Sequence, residues 1–63
     1  MRFEKGQWFQ NDDCNLFIKG VYNGVVKFIE GTSPSAIHCM QKLEVEYLEK
    51  HINLYGYKLI GEF

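Results

Sequence analysis

The stretch Phe17–Ile29 is an apolar run broken at its centre by Asn23-Gly24. A two-residue hairpin turn needs φ > 0 at both central positions, and asparagine followed by glycine adopts that most readily. The pair therefore predicts a β-hairpin with strands over 14–22 and 25–30. Upstream, residues 2–10 predict a first strand, with Gly6 as a weak point or bulge. Asn11-Asp12-Asp13 predicts a polar turn in which Asx side chains bond their own backbone. Gly31-Thr32-Ser33 ends the sheet.

The period then changes. Ser33-Pro34 reads as an N-cap followed by proline at the first helical position. Ala36, Ile37, Met40, Leu43, Tyr47, Leu48, His51, Ile52, Leu54 and Tyr55 recur at helical spacing, opposite Lys42, Glu46, Glu49, Lys50 and Asn53. This predicts one long helix over 34–55, about 33 Å long, ended by Gly56 as a left-handed cap. A competing reading makes 36–40 a fourth strand and starts the helix near 41. Tyr57-Lys58-Leu59-Ile60 follows as a short last strand on a sheet edge, or as a tail for a neighbouring subunit.

The hairpin register sorts side chains by face. A two-residue turn sets Tyr22 against Val25, Gly20 against Lys27 and Ile18 against Ile29. One face then holds Leu16, Ile18, Tyr22, Val25 and Ile29, with Lys27 as an outlier and Trp8 added across a short 11–13 turn. The other holds Phe17, Val21, Val26 and Phe28, with Phe3 and Phe9 added. Both faces are apolar, and one amphipathic helix covers only one. A solvated antiparallel face should be polar, and a wet apolar patch of several hundred Å2 is more than a monomer normally carries. Phe9, Phe17, Val21, Val26 and Phe28, with Leu59 and Ile60 on the last segment, are therefore the candidate interface, and the simplest arrangement that covers it is a two-fold homodimer.

Length and composition fit that picture. Sixty-three residues make one domain, 1–63, with a core so small that a partner subunit, a metal or a disulfide is a common supplement. Aromatic residues are 16% of the chain, which excludes a disordered class. The net charge of -1 gives no basic excess for phosphate and no acidic excess for a nucleic-acid mimic. No signal peptide or membrane span is legible, so the expectation is a cytoplasmic protein with Cys14 and Cys39 reduced. Gly61-Glu62-Phe63 reads either as native or as a cloning scar, and no role is assigned to it.

Candidate chemistry is sparse. Asp12 and Asp13 resemble a metal or acid/base pair, but no EF-hand spacing follows and a loop accounts for them. Cys14, His38, Cys39 and His51 are the soft metal ligands, without C-x-x-C or H-x-x-x-H spacing, so no metal or cofactor is expected. The same four residues supply the parts of a nucleophile–base pair but no spacing that assembles one. Trp8, Phe9, Phe17, Tyr22 and Phe28 with Lys5, Lys19 and Lys27 suit base stacking and phosphate contact, against the acidic net charge.

The expected fold is α+β: a three-stranded antiparallel meander packed on one long C-terminal helix, with a possible short last strand. The expected function is non-enzymatic: a protein-interaction module acting as a homodimer or higher oligomer on a further protein partner. The economy of the chain looks like that of small phage and prophage proteins that inhibit or modulate a host protein, a likeness of type without a shared motif. The alternatives are a small nucleic-acid-binding module using sheet aromatics, and a sponge for a small ligand at a subunit interface.

Overall fold

The computed structural model describes residues 2–32 and 40–62. Its elements are β1 (Gln7–Gln10), β2 (Asn15–Tyr22), β3 (Val25–Gly31), β4 (Met40–Glu44), α1 (Val45–Leu54) and β5 (Lys58–Glu62). The five strands form one antiparallel sheet in the order β4-β3-β2-β1-β5. The meander runs from β1 to β4, and α1 then carries the chain from one sheet edge to the other, where β5 pairs with β1.

The α+β class and the central hairpin are as expected. Asn23 and Gly24 take φ of 51° and 77°, the conformation of a two-residue turn, and Tyr22 pairs with Val25. The last segment is indeed a strand, on the β1 edge. Gly56, at φ 69°, caps α1 as expected: Tyr57 N–H donates to Ile52 O and Gly56 N–H to Asn53 O, the paired bonds of a Schellman motif.

The count of three strands and the helix over 34–55 are corrected. Met40–Glu44 is a strand paired with β3, and α1 begins only at Val45. The Ser33-Pro34 start lies outside the described residues. The observed helix start has no side-chain cap; Glu44 is extended, and Val45 N–H donates to Gly24 O at the hairpin tip. A long-range contact thus takes up one of the orphan donors that a capping residue ordinarily serves. Of the expected stripe, Leu48 and Ile52 are buried, whereas Tyr47, Leu54 and Tyr55 are exposed.

The sorting of side chains is corrected too. The β1–β2 loop has four residues, Asn11–Cys14, so Gln10 pairs with Asn15 and Phe9 with Leu16. Asn11 builds it by accepting from Asp13 N–H and Cys14 N–H on its Oδ1. In β2 the register jumps between Ile18 and Gly20: Ile18 opposes Phe28, Gly20 opposes Lys27, and Lys19 is an extra residue. Such a bulge inverts the face of every residue before it. Leu16 and Ile18 therefore join Val26 and Phe28, and Phe17 moves to the opposite face. Phe17 and Phe28, expected together, lie back to back.

The core follows from this. Phe28, Leu16, Ile18 and Val26 from the sheet and Leu48 and Ile52 from α1 are all buried at under 2% exposure, joined by Phe3, Phe9 and Tyr57. Burying each large apolar side chain contributes about 1.5–3 kcal/mol. Phe3 reaches this layer because Gly6, at φ 96°, turns the chain ahead of β1, and its ring meets Phe9 edge-on at 6.0 Å. The buried Gln7 amide holds that segment, accepting from Glu4 N–H and donating to Arg2 O.

Candidate functional site: the open sheet face and the Glu30 cleft

Cross-strand partners share a face, so the register defines the surface opposite α1 row by row. Ile29 pairs with Met40 and Phe17, Phe17 with Trp8, and Trp8 with Gly61. This row, Met40–Ile29–Phe17–Trp8–Gly61, crosses all five strands. Trp8 and Phe17 stack with centroids 5.5 Å apart and planes at 18°. Asn15, in the neighbouring row, fixes the indole: its Oδ1 accepts from Trp8 Nε1–H at 2.9 Å and from Gln10 Nε2–H at 3.0 Å. Among the described residues no helix or strand packs over this face. Trp8, Phe17 and Ile29 are half-buried, and Met40 is 52% exposed.

The flanking rows are polar and mostly basic. On one side Lys42, Lys27 and Gly20 form a row, followed by Glu44, Val25 and Tyr22. The Tyr22 ring folds back over Gly20, where a β-carbon would come within 2.6 Å of it, and Lys27 Nζ lies 5.1 Å from the ring centroid. On the other side Lys58 stands beside Gln10. The chain is net acidic, but this face gathers Lys27, Lys42 and Lys58 against Glu44. Charge counted along the sequence hides that asymmetry.

A second polar cluster lies on the α1 side. Glu30, opposite Leu16, accepts on one carboxylate oxygen from His51 Nε2–H at 2.7 Å and from Tyr57 O–H at 2.5 Å. The Schellman turn delivers Tyr57 to this point, and Asn11 Nδ2–H, donating to Tyr55 O, ties the β1–β2 loop to the same turn. With Cys14, Asp13 and Tyr55, these residues help to line an open cleft of about 400 Å3. Burial, reinforced by the Glu30 carboxylate, pushes the Tyr57 phenol far above the ordinary tyrosine range. That phenol stays protonated at neutral pH and serves as a donor to Glu30. The cluster is a clasp between β3 and the end of α1. The helical spacing that placed His51 on the inner stripe pointed toward it; nothing local marked Glu30 as its partner.

The seven residues expected at an interface divide among four places. Phe9, Val26 and Phe28 belong to the chain's own core, at 2% exposure or less. Phe17 is on the open face. Val21 pairs with Val26 at 37% exposure, and Leu59 and Ile60 sit on the β5 edge at 50% and 46%. Trp8, Ile29 and Met40, absent from the expected set, complete the open row; the four-residue loop and the Lys19 bulge put Trp8 and Phe17 there.

Asp12 and Asp13 are exposed in the Asn11–Cys14 loop. Among the described residues no three His, Cys, Asp or Glu side chains converge as a metal site would require, and no helix is long and apolar enough to cross a membrane. His38 and Cys39 lie outside the described residues. No family model, curated protein or solved structure matches the chain.

Proposed function

We propose that the chain acts by binding, as a homo-oligomer, and that the open sheet face is its docking surface for another protein. The observation that carries this reading is the Trp8–Phe17–Ile29–Met40 row, which runs across the sheet on the side away from the helix. Half-buried aromatics in an apolar centre with a charged rim are the usual makeup of a protein-binding patch. Lys27 and Lys42 beside the row, and Lys58 beyond it, favour a partner whose apolar surface has an acidic rim.

A photo-reactive residue at position 17, expressed in the native host, tests this directly. It should form a discrete adduct with another protein, and the same probe at Leu54, the most exposed large apolar side chain of α1, should not. Equal labelling from both positions would contradict the reading.

Single-stranded nucleic acid is the second reading, favoured by the aromatic rings and lysines sharing one face. Bases stack on such rings and lysines neutralise phosphates, with strong salt dependence. Trp8 is the chain's one tryptophan, so its fluorescence reports on the face itself. Quenching by an oligonucleotide at low salt, reversed by added salt, would favour this reading; no change would dispose of it.

A further inference from the structure

The Glu30 cleft lies on the α1 side of the sheet, away from the docking face, and the clasp does not use up its polar groups. Its volume of about 400 Å3 is in the range of small-molecule sites. Both clasp donors, His51 Nε2–H and Tyr57 O–H, fall on Glu30 Oε2. Two donors fill the lone pairs of that oxygen. An ionised carboxylate only accepts, so in the neutral His51 ring the hydrogen is on Nε2 and Nδ1 is an acceptor. Neither Glu30 Oε1 nor His51 Nδ1 takes part in a hydrogen bond among the described residues. No buried side-chain polar atom of those residues lacks a partner, so both atoms are open to solvent.

Asp13 adds a second, exposed carboxylate to the lining; its bond to Asn11 is made by the backbone N–H. The side-chain nitrogen donors of the lining are engaged, Asn11 Nδ2–H with Tyr55 O and His51 Nε2–H with Glu30. The wall is aromatic. The His51 ring centroid is 4.7 Å from that of Tyr55 and 5.9 Å from that of Tyr57. No lysine or arginine is among the described lining residues, and Lys58 lines the adjoining cleft together with Asp12. The two carboxylates therefore stand against at most one positive charge, that of His51 when protonated.

Unspent acceptors, negative charge and tyrosine rings together select a cation that donates hydrogen bonds. A guanidinium binds a carboxylate best through both oxygens, and Oε2 is already taken. An ammonium needs only one. We propose that this cleft binds a protonated primary amine. Its ammonium group donates to Glu30 Oε1, Asp13 supplies further negative charge, and its apolar stem lies along Tyr55 and His51. The amine is either a free small molecule or a lysine side chain of another protein.

Titration of the isotope-labelled chain at neutral pH, followed by its amide and ring resonances, tests this with 2-phenylethylamine as the probe. The amine should shift Glu30, His51, Tyr55 and Tyr57 saturably, with a Kd of about 1 mM. 2-Phenylethanol, which lacks the charge, should bind on the order of tenfold more weakly, and so should the trimethylammonium derivative, which lacks N–H donors. Asp13→Asn and Tyr55→Ala, both at exposed positions, should each weaken the amine by about three- to tenfold. Glu46→Gln, which removes a negative charge from the first turn of α1, should leave it unchanged.

No saturable shift well above that concentration would overturn the site. Equal binding of the alcohol would overturn it too, by making the cleft merely apolar. Equal binding of the trimethylammonium compound would remove the role given to Oε1, and an equal loss in Glu46→Gln would reduce the effect to general charge attraction. Nα-acetyl-lysine amide decides the source. Binding as tight as that of 2-phenylethylamine upholds the site as one for a protein lysine, and weaker binding upholds it as one for a free amine with an aromatic stem.

Discussion

The two faces of the sheet are built from similar side chains and meet opposite fates. Toward α1, Phe9, Leu16, Ile18, Val26 and Phe28 lie under Leu48 and Ile52 with almost no exposure. Away from it, Trp8, Phe17, Ile29, Val25 and Met40 form an apolar band with no described helix or strand packed over it. Hydrophobicity alone does not separate the two sets. What separates them is one extra residue, Lys19, whose bulge flips the first half of β2. Backbone register, more than composition, decides which apolar residues lie under α1 and which lie on the opposite face.

The strongest way to break that comparison is to delete Lys19. Without the bulge, Phe17 would be driven toward the helix and Leu16 and Ile18 toward solvent. The deletion should abolish cooperative urea unfolding, although Lys19→Ala, which keeps the residue count, should lie within about 0.5 kcal/mol of the original. A stable, cooperatively folded deletion would refute the role given to the bulge. Next in size, Phe28→Ala should cost about 3–5 kcal/mol, as cavities in well-packed cores do. Phe17→Ala, on the open face, should cost under about 1.5 kcal/mol, mostly the Trp8 stack.

Smaller effects sharpen the picture at the clasp. Tyr57→Phe removes a donor from a largely buried carboxylate and should cost about 1–2 kcal/mol. The sign of the pH effect follows from the raised Tyr57 pKa. Folding favours the protonated phenol, so its contribution is complete below the unfolded tyrosine pKa and is lost as pH rises above about 10. Tyr57→Phe should flatten that alkaline loss in a series of urea midpoints, which would otherwise have to be assigned elsewhere. Smallest, Gly24→Ala places a β-carbon at φ 77° and should cost about 1 kcal/mol through the turn.

What the sequence made legible was local. Asn23-Gly24, the Asx loop at Asn11 and the Gly56 cap each carry their geometry in one or two residues, and each is present. The strand Met40–Glu44 was hidden because Leu43 satisfies two patterns: it stands at helical spacing between Met40 and Tyr47, and it is also the inward residue of a strand opposite Val26. The start of α1 was illegible for a different reason. Its first N–H is taken up by Gly24 O from the hairpin tip, a contact no local motif announces. Similarly, the Glu30–His51–Tyr57 clasp joins residues from β3, α1 and the turn before β5. The Lys19 bulge has a local correlate in Gly20, under the Tyr22 ring, but a glycine in a strand does not say in which direction the register moves.

Urea unfolding of Phe17→Asp beside Phe28→Asp tests the division of the two faces most directly. Phe17→Asp should unfold cooperatively with a modestly lowered midpoint, because a charge on the open face remains solvated. Phe28→Asp should show no folded baseline, because it buries an unpaired carboxylate under α1. Equal loss of folding in both, or a folded Phe28→Asp, would contradict the account.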